Sequence, residues 1–205
     1  MDLVHRPPAE RRAPATLESQ TKALEDLRFI RRCVEEAGSF TAVPGSGMVL
    51  IGVSALVLAV ATPSLRGLPW SLLWMGEAVV ALAIGLTFLL RKSRRGGVAL
   101  KRGPARRFGL SLVPPLVSGA LITWALLAIG AYDVLPGVWL LLYGTGVATA
   151  GAFSVRAVLG MGISFIVLGG VAVLWPALPP NVPMGVGFGG LHMMFGLLVR
   201  RWHGG

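Results

Sequence analysis

One cysteine, Cys33, stands in the whole chain, so no internal disulfide can staple the fold. It lies in a segment expected in the cytoplasm, where thiols stay reduced, and reads as an inert helix residue. Acid is almost as scarce beyond residue 37, where Glu77 and Asp133 are the only carboxylates. A two-carboxylate mechanism would have to join a loop residue to one buried about 12 Å away. G-x-S-x-G, H-E-x-x-H and C-x-x-C are all absent, which removes three common arrangements of nucleophile, metal and dithiol. A single histidine inside an apolar run, His192, with Met193 and Met194 beside it, gives thin support for haem. The three or four ligands that zinc needs are not on offer. Neither an enzyme nor a cofactor is expected.

Charge is sparse as well: 14% of the 205 residues are charged and 54% are apolar, against roughly 25% charged in a soluble domain. The 28 glycines and 14 prolines fall mostly inside or beside the apolar runs. That excludes a disordered Gly/Pro chain and fits membrane helices, which tolerate both residues. A net charge of +10 would point to nucleic acid in a soluble chain. Here the one segment that could be soluble, residues 1–44, is neutral, with seven basic and seven acidic side chains. The surplus flanks the apolar runs, where it reports orientation, so no nucleic-acid partner is expected.

Six apolar runs are present, at 46–62, 70–90, 108–131, 136–153, 157–175 and 184–199. About 20 helical residues cross the hydrocarbon, and the fourth and sixth runs are short for that length, so full spanning is least expected of them. The expected fold class is an all-α polytopic membrane bundle of about six helices in three hairpins. Eighteen of the nineteen Lys and Arg residues fall on one side of such a bundle: seven before the first span, eight in 91–107, Arg156, Arg200 and Arg201. Arg66 alone falls on the other. Provided all six runs span, a bias this steep over short loops is expected to put both termini in the cytoplasm. The first 40 residues lack a continuous apolar core, so the first span is expected to act as its own insertion signal. Trp70, Tyr132 and Trp175 then fall at outer boundaries, where amphipathic rings are favoured. The 91–107 segment is read as serving orientation; the alternative is attraction of anionic lipid headgroups or of an acidic partner.

Ahead of the spans, residues 1–15 read as a flexible tail, and 16–44 as a cytoplasmic helix followed by a GSFTAVPGSG hinge. Thr16 is placed to cap that helix and Gly38 to end it. Ala23, Leu27, Ile30, Val34 and Ala37 recur at steps of four and three and share one face. Its polar side mixes both signs, unlike the cationic side of a membrane-surface helix. The face is therefore read as packing on protein: a second copy (a homo-oligomer), the loops of its own bundle, or a cytoplasmic partner. Residues 200–205 form a basic cytoplasmic tail.

Within the bundle the sequence suggests a polar layer. Each inward-going helix starts at a proline, Pro69, Pro136 or Pro183, and a glycine follows at Gly76, Gly144 or Gly190. Glu77, Thr145 and His192 come directly or shortly after. Equal offsets mean equal depth, about 12 Å below the outer surface. Ser54, Thr123 and Tyr143 reach a comparable level from their own helix ends. An ionised carboxylate in hydrocarbon is costly and needs a partner, a proton or water, so Glu77 is expected to meet His192, Tyr143 or a hydroxyl. Pro114 and Pro115 are expected to kink or interrupt the third span.

The closing stretch from Gly162, GISFIVLGGVAVLWPALPPNVPMGVGFGGLHMMFGLLVRRWHGG, together with IRR at Ile30 and FTAVPG at Phe40, resembles a family of small bacterial multi-pass membrane proteins that carries no known activity. The single hairpin that runs from Gly162 and Ile163 past Pro176 also resembles the HdeD-like acid-resistance membrane proteins, which implies six helices and transfers no catalytic residue. Two function classes stay open. One is a non-enzymatic structural, interaction or stress-related membrane component; the other is a small transporter or proton-linked channel using Glu77 and His192.

Overall fold

The computed structural model describes residues 17–38, 40–97, 100 and 103–203. The expected tail 1–15, the Thr16 cap, four residues of the 91–107 segment and the last two of the basic tail lie outside these. The chain divides into two units, residues 1–37 and 38–205. The first contributes a helix, α1, over Leu17–Ala37.

The second unit is helical, with no strand among the described residues beyond a single bridge between Phe40 and Ser154. Its helices are α2 (Gly45–Ala61), α3 (Gly67–Gly96), α4 (Gly103–Ala128), α5 (Leu135–Gly151) and α6 (Arg156–Leu174). The last helix, α7, is composite: α-helical over Asn181–Met184, π-helical over Gly185–Leu191 and α-helical again over His192–His203. Five of the apolar helices are long enough to cross a bilayer, while α2, at 17 residues, is shorter. The short fourth and sixth sequence runs are not the weak ones. A turn of 3-10 helix at Tyr132–Val134 lengthens α5 outward, and α7 begins at Asn181, before the run that marks it.

Two antiparallel pairs make the centre, and both are set by glycine. On α5, Gly137, Gly144 and Gly151 recur every seven residues and face Gly169, Gly162 and Leu159 of α6 in turn. A Cβ at Gly144 would stand 2.8 Å from the Ile166 backbone nitrogen, and one at Gly169 would stand 2.7 Å from that of Leu141. The second pair repeats the device. Gly45 and Gly52 of α2 face Gly196 and Gly189 of α7, and a Cβ at Gly52 would lie 2.6 Å from the Gly189 carbonyl oxygen. Small residues let backbones touch where lipid removes any hydrophobic drive between helices, so dispersion over that contact holds the pairs together. Phe165, Leu135, Leu140, Met161, Met184 and Val199 fill the remaining core.

The threefold hairpin design does not govern the packing. The most extensive contacts are α5 with α6 and α2 with α7, both between successive or distant hairpins, whereas α6 and α7 touch sparingly. The three glycines of the sequence pattern also differ: Gly144 is clamped against α6, whereas nothing lies within 4 Å of a Cβ at Gly76. Helices α3 and α4 are peripheral, α3 against α2 and α4 against α5. They expose Leu72, Val79, Leu82 and Leu86 on one and Val113, Val117, Leu121 and Trp124 on the other. Apolar exposure on this scale marks a protein embedded in a membrane. Helix α4 runs unbroken through Pro114 and Pro115. Gly146 of α5 faces Pro115 there, 3.4 Å from Cβ to Cβ if it carried one.

The expected hinge is instead a packed strap. Phe40, Ala42 and Val43 are buried. The Phe40 amide donates to the Phe153 carbonyl at 2.8 Å, and Ser154 Oγ donates to the Phe40 carbonyl at 2.7 Å. The Phe40 ring meets Phe108 of α4 at 4.9 Å.

Glycine contact on this scale leaves no room for a side chain. Gly144→Val is expected to destabilise the purified protein in a detergent unfolding titration by about 1–3 kcal/mol, and Gly76→Val to stay within about 0.5 kcal/mol of wild type. Equal stability of the two variants would refute the close approach of α5 and α6.

Candidate functional site

The residues of the expected polar layer separate into three groups, each explained by the helices that carry them. Glu77 points from α3 toward α2, where its Oε1 lies 2.7 Å from Ser54 Oγ. Ser54 Oγ is also 2.9 Å from the Ile51 carbonyl, one turn back on its own helix. A serine hydroxyl has a single proton, so it serves one of these acceptors at a time unless the carboxyl brings a proton of its own. Glu77 is half-buried, as befits a residue on a peripheral helix.

His192 sits on the opposite side of α2, in α7, and hydrogen-bonds elsewhere: its Nε2 is 2.8 Å from Tyr143 Oη of α5. Its ring stacks on Phe188 and meets Phe165 edge-on at 5.4 Å, and Tyr143 packs on the same two phenylalanines. The imidazole is 3% exposed. Its Nδ1 makes no hydrogen bond of normal geometry, although the carbonyls of Gly187 and Phe188 act on the ring from the π-helical turn that precedes it. One tautomer leaves Nδ1–H without a good acceptor and the other leaves the Tyr143 hydroxyl proton to find one. A buried donor or acceptor in that position costs about 1–3 kcal/mol. The π-helical stretch GVGFGG carries the flexibility to aim the ring here: its glycines let α7 lie on α2 and α5 while Phe188 closes over the imidazole.

The third group was not anticipated as a site. Asn181, at the start of α7, accepts from two indoles through Oδ1, Trp70 Nε1 at 2.6 Å and Trp74 Nε1 at 3.0 Å. Its Nδ2 donates to the Thr62 carbonyl at the end of α2. Trp70 stacks on Trp139 of α5 at 5.7 Å, and Trp139 Nε1 donates to Thr123 Oγ1 at 2.7 Å, which in turn donates to the Gly119 carbonyl. This network joins α2, α3, α4, α5 and α7 at one end of the bundle. It corrects the expectation for Trp70: the ring is 1% exposed and anchors the bundle rather than facing headgroups. Trp175 is 65% exposed and Tyr132 is half-buried. The sequence signal was present in Trp70 and Trp74, one turn apart, which place two indole donors on one face.

Thr145 joins none of these groups. Its hydroxyl donates to Leu142 in its own helix and is exposed, as does Thr149 to Thr145. On α1, Leu27 and Ile30 are 62% and 56% exposed, whereas the side chains of Ala23, Val34 and Ala37 lie outside the described ones. Burial does not distinguish the expected face, because Leu24, Glu25, Asp26, Arg28 and Phe29 are exposed too. No group of three or more potential metal ligands occurs among the described residues.

No protein-family profile, curated protein sequence or solved structure matches this chain. Its site chemistry therefore rests on the geometry alone.

Asn181 carries the densest set of buried hydrogen bonds. Asn181→Leu strands two indole donors and a carbonyl, and is expected to lower stability by about 1–3 kcal/mol in the same unfolding titration. Thr145→Val, which removes an exposed bond within one helix, stays within about 0.5 kcal/mol of wild type. A silent Asn181→Leu would show that the outer network does not hold the helices.

Proposed function

We propose that this chain is a non-enzymatic component of a bacterial inner membrane, a six-span bundle with both termini cytoplasmic, whose α1 docks a cytoplasmic partner or a second copy. The observation that carries the reading is the exposure of Leu24, Leu27 and Ile30 on a helix that belongs to a unit separate from the spans. Apolar side chains on a mixed-sign helix are stabilised by packing on protein rather than by an anionic membrane surface. The hydrogen bonds within the bundle support the same view: Asn181, Trp139, Thr123 and Ser54 tie helix to helix. The resemblance to small bacterial multi-pass proteins and to HdeD-like stress proteins belongs to this proposal. With Leu27→Glu and Ile30→Glu combined, differently tagged copies or a co-purifying partner are expected to lose association while the chain still inserts. Association that survives unchanged would refute docking through α1.

A second reading, a small transporter or proton-linked channel, is favoured by the Ser54 geometry. A carboxyl carrying its own proton donates to Ser54 Oγ while Ser54 donates to Ile51, and both bonds are then made. Proton transfer on this reading starts from Glu77 and Ser54 rather than from a Glu77–His192 bond, since His192 is held by Tyr143. It predicts pH-dependent flux in proteoliposomes that is lost in Glu77→Gln. Equal flux in the two proteins would remove it.

A further inference from the structure

The basic end of α3 does more than mark orientation. Phe88, Arg91, Lys92 and Arg95 follow one another at steps of three, one and three, which brings them onto one stripe of the helix. That stripe faces the start of α2. Between them opens a cavity of about 530 Å³ lined by Pro44, Ser46, Phe88, Arg91, Lys92, Arg95 and Gly96. Three cations line it, and among the described residues no carboxylate does. In the sequence beyond residue 37 the nearest acid along α3 is Glu77, fourteen residues before Arg91 and so about 21 Å up the helix.

Two further features bear on what the cavity holds. Cations at the C-terminal end of α3 complement that helix's own dipole, which by itself would need no ligand. The start of α2, however, brings the opposite pole into the same space. Pro44 begins α2 without any side-chain cap, so the first-turn amides lack an intrahelical acceptor and add positive potential to that of the three side chains. Like charges three and four residues apart also repel. The arrangement is stabilised when an anion enters it. Lys92 is already fixed, its Nζ donating to the Val43 carbonyl of the strap at 3.0 Å, so the charge is held in place over the cavity. Phe88, one turn deeper toward the apolar part of α3, packs on Gly47, where a Cβ would stand 2.8 Å from the phenylalanine Cβ. The cavity is thus cationic at the rim and apolar at the membrane side.

From this we infer that the α2–α3 cavity is a binding site for one anionic glycerophospholipid, its phosphate held by Arg91, Arg95, Ser46 and the first turn of α2, and its glycerol and acyl portion against Phe88. The inference rests on the membrane-spanning reading and narrows the general attraction of the 91–107 segment to a built site. A free phosphate shares the headgroup chemistry but makes no use of the apolar wall.

Full-length protein purified in a neutral detergent is to be titrated with phosphatidylglycerol, with phosphatidylcholine and with inorganic phosphate, and lipid retention read by native mass spectrometry. Wild type is expected to retain phosphatidylglycerol in preference to phosphatidylcholine, and phosphate is expected not to displace it. Arg91→Gln combined with Arg95→Gln is expected to weaken that retention about thirtyfold, the loss of two cation contacts at an anionic lipid. Arg106→Gln combined with Arg107→Gln removes the same charge from exposed positions of the next helix and is expected to leave retention unchanged. Equal weakening by both pairs would overturn the site in favour of a diffuse surface potential. Displacement by phosphate would overturn it in favour of a small-anion site, and no preference over phosphatidylcholine would overturn it outright. A chain that fails to fractionate with membranes in cells would instead sink the membrane-spanning reading, before any lipid is compared.

Discussion

Backbone-to-backbone contact between two antiparallel helix pairs is the constraint from which the rest of this structure follows. In lipid the apolar side chains of neighbouring helices gain nothing by leaving solvent, so helices associate only where surfaces fit closely. Glycine at every seventh position supplies that fit on α5 and α6 and again on α2 and α7. A seven-residue step returns a side chain to nearly the same face of a helix, with a drift of about 20° per step. The contact therefore continues over two or three heptads as the helices wrap slightly around each other.

Once these pairs are closed, the positions of the polar groups are no longer free. Helix α7 must lie between α2 and α5, which sets His192 against Tyr143 and encloses both in Phe165 and Phe188. The same placement brings Asn181 to one end of the bundle, where it meets the indoles of α3 and the carbonyl that α2 leaves at its last turn. Helices α3 and α4 are tied near their ends: α3 by Trp70 and Trp74 at one and by Lys92 at the other, α4 by Thr123 and by Phe108. Between those ends α3 meets α2 at the Glu77–Ser54 bond and α4 meets α5 at Pro115, and the far sides of both helices are exposed.

How much of this the sequence disclosed depends on the length scale of each signal. Helix positions were legible because a bilayer demands long apolar runs, and every run met a helix. Partner choice between helices was not. The sequence shows a proline-glycine-polar pattern along each hairpin, whereas the spacing that sets the contacts is seven, as in Gly137, Gly144 and Gly151. Equal depth did not bring the whole layer together, although Glu77 meets one of the expected hydroxyls, that of Ser54, and His192 meets Tyr143. Glu77, Thr145 and His192 start at similar offsets from a proline, yet depth leaves the rotation about each helix axis undetermined. Thr145 turns outward, Glu77 turns to Ser54 and His192 to Tyr143. The Asn181 network escaped notice because its residues are 62, 70, 74, 139 and 181 in the chain, and no local pattern joins them.

The two intramembrane pairs differ in how they are held. His192 is buried among rings on helices that the glycine contacts fix, with Tyr143 half-buried beside it. Glu77 stands on a helix that packs on α2 and is tied near its two ends, and its side chain is half-buried against a single hydroxyl. Leaving Ser54 would therefore break one hydrogen bond and no glycine contact, whereas moving the imidazole, whose Nδ1 is unsatisfied, would have to open the core.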